Sequence, residues 1–283
     1  MFRSLLPPIH IHPVLLLFIC ISIVTGTFVE LIIIFTIVLI HEMGHYLMAK
    51  IFKWRIKRIM LWVFGGVMET EEHGNRSIRE DLLVTVAGPF QHLIIYLSLF
   101  LLLDIGFLSD VIFKTAMTYN TAILLFNLLP IWPLDGGKLV FFLLSMKLPY
   151  RKAFDFILLF SMILSLVLII GHIIFYSFTL SFAMIMLFLF IENRLEWKRR
   201  FYVFMRFLLG RYEGKNAISK LETIHIPGHV TLMEVFSQFK REKKHTIVVN
   251  HQENESKKID ETDCLHAYFH EKQYAQQIYD IFK

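Results

Sequence analysis

The run LIHEMGHYLMA, residues 39–49, holds the first residues in the chain whose types and spacing point to chemistry. His41 and His45 are four positions apart, so on a helix they share a face and can offer two imidazole nitrogens to one zinc ion. Glu42 lies beside that face, where it can take a proton from a water whose pKa the metal lowers toward neutrality. The flanking residues are apolar, and a charge at the centre of a membrane helix costs about 2.5–3.5 kcal/mol on insertion scales. A cluster serving helix packing alone could use Ser, Thr or Asn with less desolvation, so these three residues read as functional.

Catalytic zinc normally has three protein ligands and an open position, so a third ligand must come from elsewhere in the chain. Asp135 is the leading candidate, in the segment NLLPIWPLDGGK, residues 127–138. Pro130 and Pro133 stop a helix there, and Gly136 and Gly137 let the backbone turn sharply. A break at membrane depth is tolerated only where it is buried in protein or lines a cavity, which is the setting an active-site carboxylate needs. His10, His12, His73 and His92 read as hydrogen-bonded or interfacial histidines before they read as metal ligands.

The elements that must position these groups belong in a bilayer. A 55% hydrophobic composition with 28 phenylalanines exceeds what a soluble core uses. Apolar runs at 13–28, 29–49, 82–104, 111–131, 156–173 and 175–191 predict about six transmembrane helices, the first and fourth short. Prolines and the absence of a small-x-small site favour a retained first helix over a cleaved leader. Basic clusters follow the second, fourth and sixth runs (Lys50 to Arg58, Lys138 to Lys152, Arg194 to Arg200), which puts both termini in the cytosol. Residues 58–70 are too short to span and carry Gly65 and Gly66 between β-formers, predicting a membrane-associated β-hairpin with Gly-Gly at its turn.

Composition turns polar after Asn193, which predicts a transmembrane domain at 1–193 and an amphipathic linker at 194–219, whose first part, Leu195 to Arg211, reads as a basic-aromatic helix suited to the membrane surface. A small cytosolic α/β module follows at 220–283, with a helix at 230–240, a strand at 245–249 and a helix at 274–282. Cys20 and Cys264 read as free thiols. The net charge of +5 suits loops facing anionic lipid, and no aromatic-basic motif accompanies it, so nucleic acid is not an expected partner.

HEMGH on an early helix, followed by Asn-x-x-Pro-x-x-Pro-Leu-Asp-Gly-Gly, resembles the site-2 protease family of intramembrane metalloproteases. WRIKR, FGG, EEHGNR, AGPFQH and LHAYF extend the likeness over most of the chain, toward the sporulation branch that processes pro-sigma-K. The resemblance implies that His41, His45 and Asp135 hold one zinc ion and that Glu42 is the catalytic acid/base. It further implies a pro-sigma-K-like substrate, inhibitory membrane partners, and residence in the cell membrane or the membrane around the forespore. Gly65, Gly66 and Val67 on the hairpin edge, with Asn127 and Pro133, are the expected substrate contacts. Many family members carry Asn after AGP; here Gln91 or His92 stands as the polar substitute. The tail resembles a degenerate CBS domain, which implies an adenine nucleotide as a second ligand; no Gly-rich phosphate loop stands out, and a plain docking domain for substrate is the equal alternative. Two rivals are an ion or metal transporter and an inactive membrane scaffold; neither requires Glu directly after the first His.

Overall fold

The computed structural model describes residues 9–11, 13–62, 65–70, 74–175, 179–218, 220–250, 256–274 and 276–281. Chain contacts divide it into two compact units, Met1–Glu72 with Glu80–Leu139, and His73–Arg79 with Val140–Lys283. His12, His73, Val63 and Phe64 lie outside the described residues; His10 is described and exposed.

The first unit opens with strand β1 (Ile9–Ile11) and helices α1 (Pro13–Thr25) and α2 (Phe28–Ile51). Strands β2 (Ile56–Trp62) and β3 (Gly65–Thr70) precede helices α3 (Ile78–Asp104), α4 (Asp110–Asn127) and α5 (Asp135–Ser145), the last of which continues into the second unit. Among the described residues, three helices are long and apolar enough to cross a membrane: α2, α3 and, in the second unit, α6 (Tyr150–Phe175). Leu83, Val86, Phe90, Leu93, Leu97 and Leu101 of α3 are exposed, an outward apolar face that suits lipid and not water. The remaining expected passes fall on α1, which is 13 residues long, on α4, and on the start of α7 (Leu180–Tyr212).

The predicted hairpin is present as an antiparallel pair, but its register matches Trp62 with Gly65 and Leu61 with Gly66. Gly65 and Gly66 are therefore strand residues of β3, a correction to their expected place at the turn. β1 adds parallel to β2, giving the order β1-β2-β3 with β3 at an edge. A three-residue strand among prolines carries too little alternation to be read in advance.

In the second unit α6 packs along α7, and α7 runs unbroken through Asn193 to Tyr212. The segment expected to lie on the membrane surface is thus the second half of one helix, with Phe204, Phe207 and Leu208 fully buried. Tyr150 stacks on Phe207 at 4.1 Å between centroids. The tail follows as β4 (Lys220–Pro227), α8 (Leu232–Phe236), β5 (Lys243–Asn250), β6 (Ser256–Asp260), α9 (Glu261–Phe269) and α10 (Ile278–Ile281). Its sheet has the order β4-β5-β6, parallel then antiparallel. The strand expected at 245–249 is the middle of β5, while the two expected helices are shorter than their patterns: α8 has five residues and α10 has four.

Candidate active site

α2 brings His41, Glu42 and His45 into the first unit's interior, at 3%, 5% and 6% exposure. The two Nε2 atoms lie 3.1 Å apart, and the Glu42 carboxylate falls within the same cluster. Asp135 arrives from another part of the sequence. α4 ends at Asn127, the chain doubles back through Leu128 to Leu134, and α5 begins at Asp135. A Cβ on Gly136 would sit 2.2 Å from the Leu128 carbonyl oxygen, and one on Gly137 would sit 2.4 Å from Ile131 carbonyl atoms. The glycine pair is thus required for close backbone approach; neither residue has a positive φ.

Asp135 Oδ2 ends 3.1 Å from His41 Nε2 and 3.2 Å from His45 Nε2, and Oδ1 pairs with Lys138 at 3.2 Å. The three atoms form a nearly equilateral triangle. Ligands in a tetrahedral site with zinc bonds of about 2.0 Å lie about 3.3 Å apart, so the triangle has the size of one face of such a site. Its donors also fit a cation. His45 Nδ1 is 2.8 Å from the Val84 carbonyl oxygen, which can only accept, so Nδ1 carries the ring proton and Nε2 of the neutral ring is a bare lone pair. Asp135 Oδ2 is buried without a hydrogen bond of its own. Lone pairs and negative charge facing one another in a buried space repel unless a positive ion lies among them.

α3 makes this approach possible. Gly88 lies against the imidazoles: a Cβ there would meet His45 Nε2 at 2.2 Å and His41 Cε1 at 2.8 Å. Gly44 of α2 faces the Ala87 carbonyl at 2.4 Å in the same sense. The AGP segment is therefore a packing face for the two histidines, which its motif alone did not reveal. Gly66 of β3 is backed onto Glu42, its notional Cβ 2.2 Å from Glu42 Cγ, so the edge strand lies beside the carboxylate. Val67 is in β3, paired with Met60. Asn127 Nδ2 donates to the Ile123 carbonyl of its own helix at 3.0 Å. Pro133 follows a cis peptide in the segment leading to Asp135. His92, four residues after Gly88, is fully buried; its Nε2 is 3.1 Å from His41 Nδ1, on the side of the ring away from Asp135. Buried Asn120 of α4 is its other partner. Asn120 carried no signal in the sequence beyond being a polar residue in an apolar helix.

The chain matches peptidase family M50 over residues 29–110 and 103–169. It is 39% identical to stage IV sporulation protein FB of Bacillus subtilis, over 95% of this chain and 94% of that protein. A zinc metalloprotease of Methanocaldococcus jannaschii is 29% identical over 54% of this chain and 47% of its own length. The solved site-2 protease from Methanocaldococcus jannaschii superposes with a TM-score of 0.54 and 25% identity, covering 70% of this chain and 94% of that one. With this buried His-Glu-His cluster on a membrane-length helix, and likeness to the sporulation protein along nearly its whole length, the chain belongs to peptidase family M50, the site-2 proteases of the membrane.

Proposed function

We propose that this protein is a zinc-dependent intramembrane endopeptidase that removes the prosequence of a membrane-associated pro-sigma-K-type precursor during sporulation. The observation that carries the reading is the convergence of His41 Nε2, His45 Nε2 and Asp135 Oδ2 at 3.1–3.2 Å beside the buried Glu42. The first three residues would hold one zinc ion. When bound, zinc supplies Lewis acidity that polarises a carbonyl and acidifies water. Glu42 takes a proton from the attacking water as its oxygen bonds to the scissile carbonyl carbon, and returns it to the departing amide nitrogen as the C–N bond breaks.

A substrate helix hides its carbonyls in internal hydrogen bonds and must be opened before it is cut. β3, an edge strand whose Gly66 touches Glu42, is suited to receive an extended segment by strand addition along Gly65, Gly66 and Val67. Asn127 and Pro133 would border that segment, with the Asn127 amide exchanging its own-helix carbonyl for substrate backbone. Six passes with both termini cytosolic put the HEMGH end of α2 near the cytosol, where a released transcription factor is useful. The 39% likeness to a sporulation protein supports the setting, in the cell or forespore membrane, and inhibitory membrane partners fit an enzyme that must wait. The β-α-β-β-α-α order of 220–283 suits a CBS-type module, for which adenine nucleotide is the proposed ligand, joined to a catalytic domain at 1–193 through 194–219.

The test is co-expression with a pro-sigma-K-type substrate, scoring substrate length on a gel. Wild type should shorten the substrate. Glu42→Gln should leave it intact, with about 10²–10⁴-fold slower turnover and zinc retained. Equal cleavage by both forms would remove Glu42 from the mechanism.

A further inference from the structure

The structure assigns His92 and Asn120 as a positioning pair that fixes the ring tautomer of His41 and so aims its Nε2 at the metal position. The inference rests on the reading of His41 as a zinc ligand. It begins at a backbone carbonyl. Asn120 Nδ2 donates to the His92 carbonyl oxygen at 3.2 Å, and only the NH₂ end of an amide can do so. The amide orientation is thereby set, leaving Asn120 Oδ1 to face His92 Nδ1 at 2.7 Å. An amide oxygen only accepts, so His92 carries its proton on Nδ1. His92 Nε2 is then an acceptor, and its partner is His41 Nδ1 at 3.1 Å. His41 therefore carries its proton on Nδ1, and Nε2, the atom 3.1 Å from Asp135, is left as a lone pair.

The two candidate ligands reach the same tautomer by different means. His45 takes it from the Val84 carbonyl, whereas His41 takes it through two side chains from α3 and α4. His92 and Asn120 are each 0% exposed, so water cannot replace either partner, and losing one leaves a buried donor or acceptor unsatisfied. Partners of this kind raise ligand basicity and hold the ring, and removing them typically costs 10- to 100-fold in metal affinity. His92 also packs against His41 as a tilted ring pair, at 5.1 Å between centroids, so a variant must separate packing from hydrogen bonding.

The experiment measures zinc affinity of the full chain in detergent by chelator competition, together with the visible spectrum of the cobalt-substituted protein. His92→Phe keeps the bulk and removes the acceptor; His92→Gln keeps an acceptor oxygen. Asn120→Leu removes the acceptor that sets His92, and Asn120→Asp preserves it. His92→Phe and Asn120→Leu should each bind zinc about 10- to 100-fold more weakly and shift the cobalt spectrum. His92→Gln and Asn120→Asp should recover most of the affinity. Wild-type affinity in His92→Phe and Asn120→Leu, or equal loss in all four variants, would overturn the pair's role. Unchanged zinc binding in His41→Ala would overturn the reading of the site itself, and the pair with it.

Discussion

A methyl group is enough to test the candidate site, because α3 meets the two histidines at a residue with no side chain. A Cβ on Gly88 would lie 2.2 Å from His45 Nε2, the atom that faces Asp135, and α2 and α3 cannot both hold their places around it. Gly88→Ala should therefore lower zinc content and abolish cleavage, read by metal analysis of purified protein. Gly171→Ala, where nothing lies within 4 Å of the added carbon, is the control and should change stability by no more than about 1 kcal/mol. Residues differ in how legible such roles are. His41, Glu42 and His45 could be read because their relation is local: four positions make one helical turn, and helix geometry does the rest. Asp135 could be read because prolines and glycines mark a break where a membrane helix should continue. Gly88, His92 and Asn120 act across helices, and no spacing within one helix encodes what another brings to it.

At the scale of elements the strand pair departs most usefully from expectation. Gly-Gly signals a turn when sequence is all there is, yet here both glycines lie in β3, where Gly66 gives up its side chain to make room for Glu42. That placement brings an open strand edge to the carboxylate. Along an edge strand, alternate N–H groups point outward, so single prolines at Val67 and Met68 make a discriminating pair. One should strip an outward donor and slow substrate cleavage by about tenfold, the loss of roughly one hydrogen bond, while zinc content stays at the wild-type level. The other should break the ladder to β2 and reduce folded protein. Equal cleavage by both variants and wild type would count against strand addition. The long α7 is the complementary case: its charged second half suggested a separate surface helix, but periodicity cannot say which neighbour covers an apolar stripe, and Phe204, Phe207 and Leu208 are buried within the second unit.

Across the whole molecule the membrane-length helices and the tail are stabilised by different means. Lipid covers the exposed Leu, Ile and Phe of the long helices, whereas 220–283 needs a core of its own, and Leu232, Phe236, Phe239 and Ile247 supply it. One buried polar knot ties the end of α7 to that core. Arg211 Nε donates to Glu261 Oε1 at 2.5 Å and Nη2 to Oε2 at 2.8 Å, and the same guanidinium bonds the Lys240 and Lys243 carbonyls. Glu261 Oε2 also accepts from His245 N at 2.8 Å and from His245 Nδ1 at 3.0 Å, while His245 Nε2 accepts from Lys240 N. These contacts join residues 50 apart in sequence, which composition cannot report because it reads polarity and not partners. Burial alone would raise the Glu261 carboxyl, but the His245 and Arg211 hydrogen bonds and the guanidinium charge bring it down to about 2. A carboxylate depressed in the folded state contributes stability above its unfolded value near 4.5, and that contribution disappears as pH falls from there toward 2. Chemical denaturation of the full chain, followed by a probe in 220–283, should thus show a loss of about 3 kcal/mol across that window. Glu261→Gln should be less stable at about pH 7, because Arg211 is left buried without its counter-charge, and should lose most of that pH dependence. An equally steep acid loss in Glu261→Gln would assign the dependence to other carboxylates and leave the knot as packing.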